Sequence, residues 1–284
     1  MHPMPEVNSE RLRNIILNDD FITSDKFLFV SGGSFNYFKR DFLFKGGNWR
    51  SHYESSIWMH LDDCRHKNLV LGHSDKKTDL IHLRILKALK INYVLGTNTF
   101  NQSGFSESIP LGLTNDCDDS PIHRILGNTN HIREADQAVY APTDFNGTIY
   151  LNFNLRNNLA KRKELTLALR NNSNVESDEL DLSDAGRIRY LIKLRSASVV
   201  PCPEGNGIDT HRLWETIYMG GTPVILRNKY LPAVLNELPV IQLDSWSQLN
   251  DLPKIESLWY QIRDQEYNFE SLTPAYWIAR MKDA

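Results

Sequence analysis

The segment SVVPCPEGNGIDTHRLWETIYMGGTPVILR, residues 198–227, decides the predicted fold. It begins with a run of β-branched valines that is typical of a buried strand, and the prolines that follow end this strand. The glycines of Gly205-Asn206-Gly207 let the backbone approach a ligand closely. An amphipathic pattern predicts a helix over Thr210 to Met219, and Pro223 to Leu226 reads as a second buried strand. The segment therefore predicts one βαβ unit.

The start of this predicted helix is a candidate anion site. Backbone N–H groups without helical partners and the positive end of the helix dipole meet there, and both favour a phosphate or pyrophosphate. Asp209 or Thr210 can cap the helix. Arg212 and Glu215, three residues apart, share one face, so the guanidinium could bind phosphate while the carboxylate binds ribose hydroxyls.

The same segment resembles the donor-binding motif of exostosin-like glycosyltransferases of the GT-B fold. The resemblance implies a nucleotide-sugar site, with Glu215 on the ribose and Arg212 on the diphosphate. Many retaining GT-B enzymes carry two glutamates at closer spacing than Glu204 and Glu215, so we expect an inverting reaction. The residues that carry the resemblance are Pro203, Gly205, Asn206, Gly207, Asp209, Thr210, His211, Arg212, Trp214, Glu215, Gly220 and Pro223-Val224.

Other interpretations of the motif stay open. A Gly-x-Gly sequence can be only a tight turn, and Arg-x-x-Glu on a helix is often a solvated ion pair. Gly205 and Gly207 also begin a dinucleotide pattern whose third glycine is replaced by Thr210, and Arg227 could bind the 2′-phosphate of NADP. The sequence contains no P-loop.

Composition limits the class of protein. The chain has 284 residues, 41% of them hydrophobic, which suits two modest globular domains. A net charge of −3 with scattered Lys and Arg provides no basic surface for nucleic acid. The N-terminal residues lack the pattern of a signal peptide and no segment resembles a membrane span, so we expect a cytoplasmic protein, with peripheral membrane contact left open. Cys64, Cys117 and Cys202 show no disulfide or zinc spacing, which predicts free thiols.

Strand and helix patterns alternate along the chain, which predicts parallel sheets in an α/β fold. We expect two Rossmann-like domains facing a cleft, residues 1–140 and 141–271, with a turn-rich linker near 127–146. A terminal helix within 272–284 would cross back onto the first domain, as the GT-B resemblance implies. The predicted strands are Phe27–Val30, Leu69–Leu71, Ile91–Leu95, Ile109–Leu113, Ile149–Leu155, Ser198–Pro201, Pro223–Leu226 and Val240–Leu243, with helices over Asp79–Leu89, Leu159–Arg170, Ala185–Ser196 and Thr210–Met219.

Polar residues follow the first strand of the second domain, where parallel strands deliver ligand contacts. Asn152, Asn154 and Asn157 cluster there. Arg162 stands where the family has an arginine at the start of a helix, and the resemblance implies that Asn154 and Arg162 also contact the donor. The basic residues here could instead form a solvated helix face.

The first domain is expected to supply the acceptor side. An inverting transfer needs a general base to deprotonate the attacking hydroxyl. Asp75 is the first candidate for this base and His73 is the second. An Asp that caps the next helix, with His73 packed beneath it, is an equally good interpretation. The polar residues assigned to the acceptor pocket are Ser74, Asn98 and Asn115.

The predicted function is a metal-independent glycosyltransferase that uses a nucleotide-diphosphate sugar, and no separate cofactor, to modify a glycan or glycoconjugate. Asp116-Cys117-Asp118 has the spelling of a metal-binding Asp-x-Asp motif but follows the acceptor-like strand, and His211 with Glu215 supplies only two ligands. Arg212 and a helix N-terminus can stabilise the leaving diphosphate without a metal. Two alternatives remain: a non-catalytic nucleotide-sugar-binding module and an NADP-dependent oxidoreductase.

Overall fold

The computed structural model describes residues 27–31, 68–72, 75–88, 90–114 and 121–283. These residues form a mixed α/β structure whose sheets are small and parallel. Within them, no helix combines the length and the apolar character that a membrane crossing requires.

The first sheet has four parallel strands in the order β1-β2-β3-β4. Helix α1, Leu80–Ala88, connects β2 to β3 and buries Leu83 and Leu86. The expected strand over Ile109 to Leu113 is wrong. The chain pairs in the preceding residues instead, because Pro110 has no N–H for a ladder and Gly112 has a φ of 73°. The strands are β1 Phe27–Ser31, β2 Asn68–Gly72, β3 Tyr93–Gly96 and β4 Ser106–Ser108.

Two helices follow, α2 over Pro121–Leu126 and α3 over Thr129–Ala138. Helix α3 lies inside the segment that the sequence suggested as a turn-rich linker, so the turn-rich character predicted for residues 129–138 is wrong. The Asn128 side chain caps α3 by accepting from the Asn130 N–H, and polar composition concealed the apolar positions Ile132 and Ala135, which are buried.

The second half contains five strands that act as one parallel sheet. Strands β5 and β6 pair with each other, as do β7, β8 and β9. A parallel bridge between Ile149 and Val199 joins the two groups, supported by a 3.1 Å hydrogen bond from the Tyr150 N–H to the Val199 carbonyl. The strands are β5 Ile149–Leu151, β6 Val175–Ser177, β7 Val200–Pro201, β8 Pro223–Leu226 and β9 Ile241–Leu243.

The resulting order is β6-β5-β7-β8-β9, so the chain reverses its direction of travel across the sheet between β5 and β7. In open parallel sheets, ligands bind at such a reversal, beyond the carboxyl ends of the two strands. A ligand-binding site is therefore expected in the space beyond Leu151 and Pro201.

The remaining helices lie in the second half of the chain. Helix α6, His211–Tyr218, is buried on all sides, with Trp214 fully enclosed. The last helix places Trp277 in the core, and its Arg280 forms an ion pair with Glu107 of β4. The α-helices are α4 Leu159–Ala168, α5 Asp184–Ser196, α6 His211–Tyr218, α7 Leu252–Arg263 and α8 Pro274–Asp283, and 3-10 helices span Leu155–Asn158, Ala233–Glu237, Trp246–Asn250 and Glu270–Leu272.

Candidate functional site

A cavity of about 1070 Å³ lies beyond the carboxyl ends of β5 and β7. Its volume is at the upper end of the usual range for small-molecule sites, roughly 300–1,000 Å³. Both halves of the chain contribute to its wall. The residues that line it include Asp75, Tyr150, Asn154, Arg162, Arg187, Tyr190, Gly205, Asn206, Gly207, Asp209, Thr210, His211, Arg212 and Glu215.

Arg212 holds the two strand ends together at the floor of this cavity. Its Nε donates to the Pro201 carbonyl at 3.0 Å, and its Nη atoms donate to the Tyr150 and Asn152 carbonyls, each at 2.8 Å. A longer contact joins Nη1 to the Tyr190 hydroxyl at 3.4 Å. Four of the five guanidinium N–H groups are thus used. Arg212 consequently contributes its charge to the cavity more than it contributes free donors.

Arg162 leaves more of its guanidinium available. Its Nε donates to the Glu204 carbonyl at 3.2 Å and its Nη1 to the Asn154 carbonyl, while Nη2 has no hydrogen bond to any described residue. The side chain is only 8% exposed and stacks over the Phe153 ring at 5.3 Å. Burial, followed by the neighbouring positive charge of Arg212, lowers the pKa of Arg162.

Neither Arg162 nor Arg212 has a carboxylate partner among the described residues. Two buried guanidiniums that repel each other are costly to hold together unless an anion compensates them. The part of the cavity wall next to the start of α6 therefore holds two buried cations that form no ion pair with a described carboxylate.

Glu215 is fully paired within the protein. Its Oε1 accepts from Arg187 Nη2 at 2.6 Å and its Oε2 from the Tyr190 hydroxyl at 3.0 Å. Burial opposes ionisation, but the Arg187 charge and hydrogen bond outweigh it and lower the pKa of Glu215. The carboxylate is ionised and has unused lone pairs, so it can still accept a hydrogen bond from a hydroxyl group of a ligand.

The glycine turn is held by Asn98 from the first half of the chain. Asn98 Oδ1 accepts from the N–H groups of Ile208 at 2.9 Å and Asp209 at 2.8 Å. A Cβ on Gly207 would lie 2.8 Å from Asn98 Nδ2 and 3.2 Å from the Asp75 carbonyl oxygen. Glycine is therefore required at 207 by the close approach of two chain segments.

Part of the expected anion site is occupied by the protein itself. The N–H groups of Ile208 and Asp209 bond to Asn98, and that of Thr210 bonds to the Asp209 carboxylate. Thr210 stands at the N-cap but makes no side-chain capping bond. Donors without a hydrogen bond to the described residues remain on both sides of this region, namely the backbone N–H groups of Asn206, Gly207, His211 and Arg212.

Asp209 is a buried connector. Its Oδ2 accepts from the Leu111 N–H, and its Oδ1 accepts from the Thr210 N–H and Trp214 Nε1, all at 2.8 Å. Burial raises the pKa of Asp209 to about 7, in opposition to these N–H donors, which lower it. The residue links the loop after β4 to the start of α6.

His211 is the first residue of α6 and lines the cavity. Its Nδ1 lies 2.7 Å from the Gly112 carbonyl oxygen. Burial lowers the pKa of His211, and the Gly112 carbonyl and the charges of Glu215 and Asp75 oppose that effect only partly.

The structure brings together the residues predicted for the donor side, but some have other partners than the sequence suggested. Asp75 is an exposed residue on the cavity wall. Asn154 caps the 3-10 helix at Leu155–Asn158 by accepting from the Arg156 N–H. Arg227 pairs with Asp244 and does not line the cavity. Predicted residues that lie outside the described residues are His73, Ser74, Asn115, Cys64 and Asp116-Cys117-Asp118.

Sequence reasoning missed Arg187, Tyr190 and the loop of residues 178–182, which also line the cavity. Arg187 is 4% exposed and lies on α5. The only signal in the sequence was a charged residue within an otherwise apolar helix face, and such residues are usually solvated. In the described ranges, no three His, Cys, Asp or Glu side chains gather at metal-binding distance.

No protein-family model matches this chain, and a search of curated proteins finds no match.

Proposed function

We propose that this protein is a glycosyltransferase that transfers a sugar from a nucleotide-diphosphate donor to a glycan or glycoconjugate acceptor, with inversion. The observation that carries the proposal is the pair of buried guanidiniums, Arg162 and Arg212, that lack carboxylate partners beside a large cavity at the sheet reversal. A diphosphate supplies the negative charge that this pair lacks.

The proposal assigns different tasks to the two arginines. Arg162 would bind the diphosphate directly, because its Nη2 has no hydrogen bond to the described residues. Arg212 would hold the strand ends and add positive charge. The N–H groups of Asn206, Gly207, His211 and Arg212 would add uncharged donors at the positive end of α6. Together these groups would stabilise the charge that develops on the leaving diphosphate.

The ribose contact is assigned to Glu215, whose ionised carboxylate keeps unused lone pairs at the cavity. We further propose a two-domain GT-B arrangement with a boundary near residues 140 and 141. The parallel sheets and the Arg280–Glu107 ion pair between the last helix and β4 are compatible with it. Arg227 lies away from the cavity, which disfavours the NADP alternative.

Calorimetric titration with UDP, GDP, CMP and NADPH tests the proposal. We expect one nucleoside diphosphate to bind the wild type, and Arg162→Ala to weaken it by about 10- to 100-fold, since hydrogen bonds to charged groups contribute roughly 1.5–3 kcal/mol. Arg170→Ala is the matched control, because Arg170 is exposed at the end of the same helix region. Binding of NADPH alone, or equal affinity in both variants, would refute the donor site. Diphosphate binding without turnover of any sugar nucleotide would indicate a binding module.

A further inference from the structure

The orientation of the His211 ring is fixed by one contact. Nδ1 lies 2.7 Å from the carbonyl oxygen of Gly112, which can only accept a hydrogen bond. The proton of a neutral imidazole must therefore reside on Nδ1, and Nε2 must carry the lone pair. Burial favours the neutral ring because it lowers the pKa of His211.

The lone pair on Nε2 is not used by the described part of the protein. Nε2 forms no hydrogen bond there and is not among the enclosed polar atoms, so it is accessible to solvent. His211 lines the cavity and stands directly after the glycine turn. The charged groups that act on the ring are Glu215, Asp75 and Arg187.

We infer that His211 is the general base of the transfer reaction, an inference that rests on the proposed function. The sequence had pointed to Asp75 for this role and to His211 only as a donor contact. Asp75 is exposed on the cavity wall, whereas His211 presents an oriented lone pair beside the anion-binding groups.

In the proposed transfer, one bond forms and one breaks at the anomeric carbon of the donor sugar. The acceptor hydroxyl oxygen attacks the anomeric carbon and forms the new glycosidic bond. The bond from that carbon to the diphosphate oxygen breaks, and its electron pair leaves with the nucleoside diphosphate. The hydroxyl proton passes to Nε2 of His211, which becomes an imidazolium and later releases the proton to solvent.

His211→Asn separates catalysis from structure. The Asn amide nitrogen can replace Nδ1 as donor to the Gly112 carbonyl, but nothing replaces Nε2. With UDP-glucose, UDP-N-acetylglucosamine, GDP-mannose and GDP-fucose as donors, and monosaccharides or water as acceptors, we expect nucleoside diphosphate release to fall about 10²- to 10⁴-fold in kcat. We expect UDP or GDP affinity to stay within about twofold. His123→Asn, an exposed histidine outside the cavity wall, is the control.

The pH profile provides a second readout. The wild-type kcat should fall on the acid side as His211 becomes protonated, and the residual activity of His211→Asn should lack that acid limb. Wild-type turnover in His211→Asn, or loss of turnover in Asp75→Asn alone, would overturn the inference and leave the proposed function intact.

A third readout needs no turnover. Long-range ¹H–¹⁵N correlation spectra report which ring nitrogen carries the proton. We expect Nδ1–H with an unprotonated Nε2 at neutral pH, and a proton on Nε2 would refute the inference. If the wild type binds none of the nucleoside diphosphates, the proposed function and the inference both fail.

Discussion

Arg162 Nη2 lies 2.9 Å from the position that a Cβ on Gly205 would occupy. This distance ties the turn to the guanidinium that we assign to the diphosphate. Gly205→Ala should therefore displace the end of the arginine side chain and weaken nucleoside diphosphate binding about tenfold. Because the clash is with the end of a side chain rather than with backbone, and the backbone φ at Gly205 is not positive, the free energy of unfolding should fall by only about 1–2 kcal/mol, through the hydrogen bonds of Arg162 that the shift disturbs. Calorimetric titration and urea unfolding measure the two quantities.

The double variant Gly205→Ala with Arg162→Ala is the control for this prediction. If the methyl group of Gly205→Ala acts through Arg162, then adding Gly205→Ala to Arg162→Ala should cause little further loss of affinity. Fully additive losses would show that the turn acts on the ligand by another route.

Gly207→Ala should behave differently, because its methyl group would meet Asn98 and the Asp75 backbone. The Asp75 carbonyl oxygen, at 3.2 Å, cannot rotate away as a side chain can. We expect the free energy of unfolding to fall by about 1–3 kcal/mol, as for other overpacked sites. Urea denaturation measures it with Gly205→Ala for comparison, and unchanged stability of Gly207→Ala would contradict the close approach described for Gly207.

The buried ion pair between Arg187 and Glu215 predicts a large cost when one partner is removed. Arg187→Met leaves the Glu215 carboxylate buried without its cation, which should lower the free energy of unfolding by about 3–5 kcal/mol. The exposed pair Lys193–Glu176 is the matched control, and Glu176→Gln should cost less than about 1 kcal/mol. Removing both charges with Arg187→Met and Glu215→Gln should cost less than the two single losses combined. An additive result would contradict direct coupling.

The same pair has a pH signature. The folded pKa of Glu215 lies below its ordinary value of 4.5, so the pair stabilises the fold above about pH 4.5 and this contribution is lost as the pH falls further. In Arg187→Met burial acts on Glu215 without the arginine, so its pKa should rise. The destabilisation by Arg187→Met should therefore be larger at pH 8 than at pH 5, and a loss of stability that does not change with pH would argue against this account.

Asp209 predicts the opposite pH dependence. Burial raises its folded pKa from 3.8 to about 7, so the folded state binds more protons than the unfolded state between these pH values. The free energy of unfolding should therefore decrease as the pH rises from about 4 to about 7, by roughly 2–4 kcal/mol from this group. Asp209→Asn should remove that slope, although its amide would oppose the Leu111 N–H and cost about 1–3 kcal/mol. Urea unfolding across this range measures both, and an unchanged slope in the variant would refute the assignment.

The sequence predicted the elements with strong periodicity. Helix α5 and strand β8 occur where their patterns placed them, within one residue at each end. Strand β6, Val175–Ser177, was missed because it is short and two of its three residues are polar. Helix α7 was missed as well, although Ile255 and Trp259 form a buried face at helical spacing.

For the candidate site, the sequence predicted which residues lie together but not which partners they bind. Pattern reasoning placed Arg212, Glu215 and Arg162 together, and all three line the cavity. The pattern could not predict that the guanidinium N–H groups of Arg212 donate to backbone carbonyls at the ends of two strands. Those partners depend on how the two strand ends approach each other in space. They are the carbonyls of Tyr150, Asn152 and Pro201. Asn98 was expected to shape an acceptor pocket, and the contact of its Oδ1 with the glycine turn was not foreseen.

Four hydrogen bonds connect the start of α6 with residues 98–112. Asn98 accepts from the N–H groups of Ile208 and Asp209, Asp209 accepts from the Leu111 N–H, and His211 bonds to the Gly112 carbonyl. The conformation of the Gly205–Gly207 turn thus depends on contacts with a segment about a hundred residues earlier in the chain. A fragment that begins at residue 141 would retain β5 to β9, Arg162 and Arg212 but would lose the residues that hold the turn. We therefore expect that truncation near residue 141 yields a sheet whose Gly205–Gly207 turn is no longer held in the conformation described here.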